Sequence, residues 1–381
     1  MRKLGLILLN TVVVLLAFEL LARAILWRAD PDQPAAQAGF SYSAAGAGDL
    51  APNLDVVELL MPARPYRLQT NSAGLRNADE INPDPAVIRV LALGDSFVYG
   101  LYVHNLDTFP ARLEERLNEK LAAPVQVLNA AVPGYTIADQ LSYLRDKGLA
   151  LEPDLVVLGF YTNDIFDFYP PIREHFAREI VLAQAARPPA ERSPVESFLR
   201  DHLALYAAYR RLREAAGQAQ IEAEVNRITP TVPGLEQTYR DLTFLKPGDY
   251  PREWQAYERT LRETLTLLRD RGIPAAVVAF PDLAQMPIAG GLPDVPQQML
   301  VRVLESENTP FLDLLPVYRA QGDITSLYLM YYSDATPRDP NRADAAVMQY
   351  AGDGHPSPYG HRVAAWALAD LLIERGLVPP A

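Results

Sequence analysis

Short apolar runs alternate with longer segments of helical periodicity along most of this chain. The runs are rich in β-branched residues and comprise Val87–Leu93, Val125–Asn129, Leu155–Phe160, Ala275–Phe280 and Pro310–Asp313. The first and third are apolar on both faces, which is typical of strands in a parallel sheet covered by helices on both sides. The alternation therefore predicts an α/β fold around a central, mostly parallel sheet.

The segments between the runs carry recognisable helix ends. Thr108 can cap a helix that has Pro110 in its first turn and runs to about Leu121. A second helix is predicted to end at Gly272, after an apolar stripe of Trp254, Tyr257, Leu261, Leu265 and Leu268. A last helix carries the apolar positions Val363, Ala367, Leu368 and Leu371.

Residues of about 168–250 interrupt the alternation, because they contain no convincing core strand. Ser193 to Glu196 have the pattern of a capping box with Pro194 at the first helical position. An apolar helical face follows, formed by Val195, Phe198, Leu199, Leu203 and Tyr206. We expect a largely helical insertion packed on the α/β core near its ligand face. A separate small domain is the alternative.

The N-terminal residues 1–28 have the pattern of a signal-anchor helix. Arg2 and Lys3 precede an apolar run that continues, with interruptions, to Trp27. As a helix, this run is long enough to cross a hydrocarbon core of about 30 Å. We expect a retained transmembrane helix with the rest of the chain extracytoplasmic, either periplasmic or extracellular.

A cleaved secretory signal peptide is the competing interpretation of the same segment. Ala22 and Ala24 flank Arg23 as a small-x-small cleavage site would require, and the mature chain would then be secreted. Both interpretations export the remainder. Its residues 29–50 are predicted to form a linker, and residues 51–381 the globular domain.

Composition excludes several functions. The formal net charge is -12 and no basic stripe occurs outside the N-terminus, so a nucleic acid is not expected as a partner. Cysteine is absent, which excludes disulfides, Cys–zinc sites and a thiol nucleophile. No Walker loop, dinucleotide fingerprint, HExxH pair or calcium loop occurs, and His104, His175 and His202 lack metal-ligand spacing. We therefore predict neither a cofactor nor a metal.

Reactive side chains follow the ends of several predicted strands. Gly94, Asp95 and Ser96 follow the first, Gly134 follows the second, and Asn163 and Asp164 follow the third. Asp353, His355 and His361 precede the last helix. Each group alone is more often a turn, and Asp95 is expected to bond to backbone N–H groups of its own turn. Ligands of open α/β sheets bind beyond the carboxyl ends of the strands, so together these groups predict one active site.

Four sequence blocks, in this order, resemble those of the SGNH hydrolase family, the GDSL-type esterases and acyltransferases. They are GDSFVYG, NAAVPGYT, GFYTND and DGHPSPYGH, and the resemblance covers about residues 70–165 and 345–372. The stretch TNSAGLRNADE also resembles a segment of membrane-anchored bacterial members. The resemblance implies a flavodoxin-like three-layer sandwich.

The resemblance also implies a role for each site residue. Ser96 would be the nucleophile, His355 its general base and Asp353 the acid that orients the imidazole. The backbone N–H groups of Ser96 and Gly134 and the side-chain amide of Asn163 would form the oxyanion hole. Asp353 and His355 are two positions apart, whereas the commonest form of this block has them three apart. Asp353 thus departs from the commonest spacing, and His361 is a rival base for which a structural role is expected.

The function predicted from these residues is hydrolysis of an ester through an acyl-enzyme on Ser96. Envelope or extracellular glycans that carry O-acetyl groups, and lipid esters, are candidate substrates. An O-acyltransferase that passes the acyl group to a polysaccharide would use the same site. An inert binding or scaffold protein of the envelope is the third hypothesis.

Overall fold

The computed structural model describes residues 50–58, 66–172, 234–287, 290–329 and 354–378. In chain order the strands are β1 Asp55–Glu58, β2 Tyr66–Gln69, β3 Ile88–Leu93, β4 Val125–Asn129, β5 Leu155–Phe160, β6 Ala275–Ala279 and β7 Phe311–Asp313. Strands β3 to β7 form one parallel five-stranded sheet in the order β4-β3-β5-β6-β7. Strands β1 and β2 form a separate antiparallel pair.

Helices connect the strands of the sheet. They are α1 Ser96–Tyr99, α2 Phe109–Lys120, α3 Ile137–Asp146, α4 Leu235–Arg240, α5 Pro251–Asp270, α6 Val295–Ser306, α7 Leu314–Arg319, α8 Ile324–Leu327 and α9 Pro358–Glu374. Short 3-10 helices span Asn105–Asp107, Gly148–Leu151, Thr162–Phe168, Pro247–Asp249 and Leu283–Gln285, and a π-helical turn spans Asp241–Leu245.

The strand order determines which face each helix covers. The connection from β3 leads outward to β4, and the next connection returns past β3 to β5. Right-handed crossovers therefore place α2 on one face and α3, α5 and α6 on the other. The contacts agree, since α2 packs against α9, and α3 packs against α5. This is the 2-1-3-4-5 order of flavodoxin-like sheets, with the reversal between β3 and β5.

The structure confirms the predicted parallel sheet and its five strands, with bounds that differ by one residue at most. Strand β5 is buried along its whole length, as its apolar sequence on both faces predicts. The helix capped by Thr108 is also confirmed, because the Thr108 side chain accepts a hydrogen bond from the Ala111 N–H. The stripe from Trp254 to Leu268 is the buried face of α5.

Other predicted segments lie outside the described residues. These are the signal-anchor, residues 1–28, and the linker, residues 29–50, apart from Leu50. Residues 173–233 of the predicted helical insertion also lie outside, and its described flanks contain helical turns and no strand. Within the described ranges, no helix is both long and apolar enough to cross a membrane. One compact unit, Ala38–Arg173 with Gly234–Ala381, contains all the described residues.

Candidate active site

Ser96 is the first residue of α1, immediately after the carboxyl end of β3. Asp95 caps this short helix, and its carboxylate accepts a hydrogen bond of 2.9 Å from the Phe97 N–H. The predicted turn role of Asp95 is thereby confirmed. Ser96 is half-buried between a buried Asp95 and a buried Phe97. As the first helical residue, Ser96 has an N–H with no intrahelical acceptor.

Glycines on two strands let α1 lie close against the sheet. A Cβ on Gly94 would come within 2.4 Å of the Val98 side chain, and a Cβ on Gly159 within 2.1 Å. Both distances are far below van der Waals contact, so a side chain at either position would force Val98 to move. The close approach brings Ser96 to the gap between β3 and β5, where the strand order reverses.

His355 lies directly against Ser96. Its Nε2 is 2.7 Å from the Ser96 Oγ, although the two residues are 259 positions apart in the chain. The backbone around His355 is held by pairing with the segment after α8, because Leu329 N–H donates to the His355 carbonyl at 2.8 Å. Ser357 then caps α9, and its hydroxyl accepts a hydrogen bond from the Gly360 N–H.

Gly134 lies in a tight turn after β4. Tyr135 N–H donates to the Val132 carbonyl at 3.0 Å, and Gly134 has a φ of 83°. Proline followed by a left-handed glycine is the sequence signature of a type II turn. Val132 N–H donates to the Gly94 carbonyl at 3.1 Å, so this turn is fastened to the backbone that precedes Ser96.

Asn163 follows β5, the other neighbour of β3. Within the described residues, its side-chain oxygen is buried and makes no hydrogen bond. Burial raises the pKa of Asp95 to about 6, and hydrogen bonding from Phe97, the charge of His355 and hydrogen bonding from Asn163 act against that rise. Asp95, Asn163 and His355 therefore form one electrostatic group around Ser96.

The structure brings Ser96, His355 and the strand end that carries Asn163 to one edge of the sheet, as the sequence predicts. Asp353 lies outside the described residues. His361 is fully buried in the first turn of α9 and is not the histidine that meets Ser96. No group of metal-ligating side chains occurs among the residues that the structure describes.

Sequence reasoning missed an aspartate with two tyrosine partners at the same edge. Asp282 follows β6, and its carboxylate accepts hydrogen bonds of 3.0 Å from the hydroxyls of Tyr161 and Tyr239. Burial raises the pKa of both tyrosines well above the ordinary value, so both remain donors. Tyr161 also stacks on Phe97, with ring centroids 3.8 Å apart. The strand-end criterion that found Asn163 would have found Asp282 as well.

Sequence reasoning also missed a buried arginine behind the nucleophile helix. Arg76 is 2% exposed, and its guanidinium donates to the carbonyls of Tyr99, Gly100 and Val103 at 2.8, 2.6 and 2.5 Å. Arg76 lies within the stretch TNSAGLRNADE, so that sequence block marked its position without indicating its contacts.

A hydroxyl in hydrogen-bonding contact with an imidazole is the arrangement that activates a serine for nucleophilic attack. Residues 92–246 match the model of the GDSL-like Lipase/Acylhydrolase family. Over this region the chain is similar to that family. The protein is thus an ester-hydrolysing enzyme. The match begins within β3 and includes the strand ends that carry Ser96, Gly134 and Asn163, and His355 lies beyond it.

Two of the solved structures similar to this chain are those of TesA and Axe2. TesA is 15% identical, with 76% of this chain and 99% of that chain covered and a TM-score of 0.39. Axe2, an acetylxylan esterase from Geobacillus stearothermophilus, is 13% identical, with 75% and 94% covered and a TM-score of 0.39. A comparison with curated protein sequences finds no match.

Proposed function

We propose that this hydrolase is a serine esterase that works through an acyl-enzyme on Ser96. The observation that carries the proposal is the 2.7 Å contact between the Ser96 Oγ and the His355 Nε2. The distance allows the imidazole to take the hydroxyl proton directly, which is the geometric requirement for a general base.

The proposed reaction has two halves. As Ser96 Oγ attacks the ester carbonyl carbon, His355 accepts its proton. The bond to the alcohol oxygen then breaks, and His355 returns the proton to the departing alkoxide. A water molecule next attacks the acyl-enzyme, with His355 as base, and the carboxylic acid leaves while Ser96 regains its hydrogen. Asp353 is our proposed orienting acid for the imidazole.

Negative charge develops on the carbonyl oxygen in both halves of the reaction. We assign its stabilisation to the N–H groups of Ser96 and Gly134 and to the side-chain amide of Asn163. The positions of these groups support the assignment, since they follow β3, β4 and β5, which are adjacent in the sheet. Gly134 is exposed, so its backbone is open to a close approach by the substrate.

The proposed substrates are ester-bearing molecules outside the cytoplasm, with O-acetylated envelope glycans as the leading class. The basic and apolar N-terminal segment supports this proposal, because either interpretation of residues 1–28 exports the catalytic domain. A retained helix would hold the enzyme at the membrane surface.

The test is an ester-hydrolysis assay of the full-length chain with p-nitrophenyl acetate and longer acyl esters. We expect Ser96→Ala to abolish turnover and labelling by a fluorophosphonate probe. We expect His355→Ala and Asp353→Asn each to lower kcat by roughly a thousandfold or more. Ser142→Ala is the matched control, because Ser142 is exposed on α3 and, among the residues that the structure describes, bonds only to the Ala138 carbonyl of its own helix. Unchanged turnover in Ser96→Ala would refute the proposal.

The same preparation separates hydrolysis from acyl transfer. An isotopically labelled acetyl ester is supplied with and without a polysaccharide acceptor, and the label is followed. We expect release of labelled acetate in both cases. Label accumulating on the polysaccharide in place of free acetate would favour the transferase instead.

A further inference from the structure

Tyr102, in the loop after the nucleophile helix, has an unusual backbone conformation beside the proposed base. Its φ is 67°, in the left-handed region that side chains other than glycine and asparagine rarely adopt. Its ring is perpendicular to the His355 imidazole, with an interplanar angle of 85° and centroids 5.6 Å apart. Strain of this kind persists only where the surroundings enforce it, and it concentrates at functional sites.

The buried Arg76 holds the backbone on both sides of Tyr102. Its guanidinium bonds to the carbonyls of Gly100 and Val103, which lie on either side of Tyr102 in the chain. Val103 N–H also donates to the Gly100 carbonyl at 3.3 Å and closes the loop on itself. The guanidinium carbon lies 4.0 Å from the centre of the Tyr99 ring, so stacking and hydrogen bonding both fix its position. The loop is thus held from behind at both ends.

A second aromatic ring contacts the imidazole from the same segment of chain. Phe97 directly follows Ser96, and its ring centroid is 4.7 Å from that of His355 at an angle of 33°. Phe97 is 2% exposed and is itself stacked on Tyr161, so it cannot easily move. Two rings, one within α1 and one in the loop after it, therefore restrict the orientation of the imidazole.

We propose that Tyr102 is a positioning residue for His355, and that Arg76 maintains it in this role by holding the strained loop. The ring of Tyr102 limits rotation of the imidazole and keeps Nε2 directed at the Ser96 hydroxyl. This inference rests on the proposed function, because it assigns His355 as the base. It adds that the segment that carries Ser96 also orients the imidazole of His355. It does so through Tyr102, which lies outside the four sequence blocks.

The decisive variant is Tyr102→Gly, because glycine adopts positive φ without strain while the ring is lost. If Tyr102 only shaped the backbone, this variant would be at least as active as the wild type. We expect kcat for p-nitrophenyl acetate to fall by about tenfold or more, with KM within about threefold, since small misplacements of catalytic groups are costly. The second-order rate of Ser96 labelling by a fluorophosphonate is expected to fall in parallel.

Conservative and matched variants separate positioning from folding. Tyr102→Phe keeps the ring, so its kcat should stay within about threefold of the wild type. Tyr102→Asn tolerates the left-handed backbone but lacks the ring, so it should behave like Tyr102→Gly. Glu152→Gly is the control, because Glu152 has a φ of 52° and precedes β5 at the opposite edge of the sheet. It should leave kcat unchanged. Thermal unfolding of each variant shows whether it is folded.

Arg76→Lys tests the second half of the proposal. A lysine keeps the positive charge but cannot bond to several carbonyls in the fixed geometry of a guanidinium. If Arg76 acts through Tyr102, the loss of kcat in the double variant Arg76→Lys/Tyr102→Gly should be smaller than the product of the two single losses. Multiplicative losses would overturn the role of Arg76.

Two outcomes distinguish this inference from the function on which it rests. Full activity in Tyr102→Gly, while Ser96→Ala is inactive, would overturn the positioning role and leave the esterase proposal intact. Wild-type turnover that does not depend on Ser96 would refute the esterase proposal itself.

Discussion

His355 and His361 are close neighbours in sequence but lie in opposite surroundings. His355 is half-buried and meets Ser96, whereas His361 is 0% exposed and both its ring nitrogens lack a hydrogen-bond partner among the described residues. Burial is the main cause that lowers the pKa of His361 to about 3, and the charges of Arg76 and His355 add to it. His361 is therefore a neutral core residue, which agrees with the structural role expected for it.

The buried His361 predicts an acid-dependent loss of stability. Its folded pKa of about 3 lies below the ordinary value of 6.5, so between these values the unfolded chain binds a proton that the folded chain does not. The free energy of unfolding should therefore fall as the pH drops below 6.5, by on the order of 1 kcal/mol per pH unit from this group. His361→Leu should remove that contribution.

Denaturant titrations of the wild type and His361→Leu across this pH range measure the effect. Asp95 acts in the opposite sense, because its raised pKa of about 6 gives stability at low pH that is lost as the pH rises through that value. Since Asp95 is present in both proteins, it cancels in their difference. Parallel pH profiles for the two proteins would show that His361 is not the source.

Asn163 carries a second prediction at the residue scale. We expect Asn163→Ala to lower kcat by roughly 100- to 1000-fold, with a smaller change in KM, because an oxyanion donor acts mainly in the transition state. Asn118→Ala is the contrasting control. The Asn118 side chain bonds to the backbone of Val125, the first residue of β4, at the opposite edge of the sheet. It should lower the melting temperature and leave kcat unchanged, and an equal loss of kcat in both variants would contradict the assignment.

At the scale of elements, the packing of α1 on the sheet links fold to chemistry. The Val98 side chain occupies the space that a Cβ on Gly94 or Gly159 would require. Gly159 belongs to β5, whereas Ser96 follows β3, so the contact joins the nucleophile helix to the neighbouring strand. A short helix with few hydrogen bonds of its own needs such a contact to hold its position.

A paired substitution tests this contact. Gly159→Ala places a methyl group against Val98 and should cost about 1–3 kcal/mol of stability through overpacking, with a loss of kcat as α1 shifts. Adding Val98→Ala should restore part of the lost stability and part of the lost kcat, because it removes the methyl group in closest contact. Gly248→Ala is the control, since a Cβ there has no atom within 4 Å. Additive effects in the double variant would contradict the proposed clash.

Strands and helices with a regular sequence pattern could be predicted well from the sequence. Strand β5 is apolar at every position, and α2 has a threonine cap followed by proline, so local chemistry suffices for both. The pairing of Tyr328 with Pro356, which fixes the backbone beside His355, has no such local pattern. It joins two segments that are distant in the chain, and only the packing of α8 and α9 brings them together.

At the scale of the whole molecule, the order of the strands determines where the site lies. The reversal between β3 and β5 leaves a crevice at the carboxyl edge, and Ser96 and Asn163 lie on its two sides. His355 reaches the same crevice from the far end of the chain. The site is therefore assembled from segments that no single part of the sequence contains.

The N-terminal segment carries a prediction for the whole chain. We expect the expressed full-length protein to remain in the membrane fraction after alkaline carbonate washing and to be released by detergent, because residues 1–28 are predicted to span the bilayer. Mass spectrometry of the purified protein provides the second measurement. A soluble mature chain that begins just after Ala24 would instead show a cleaved signal peptide.

The sequence alone determined the strands and helices of the sheet, the turns at Ser96 and Gly134, and the residue types that the chemistry needs. These follow from local propensity and from periodicity over a few residues, which act before the chain is folded. Only the tertiary structure decided which histidine meets Ser96, where Arg76 donates its hydrogen bonds, and that Tyr102 adopts a left-handed backbone. The physical reason is that each of these depends on contacts between distant segments, whose free energies arise only when the whole core has packed.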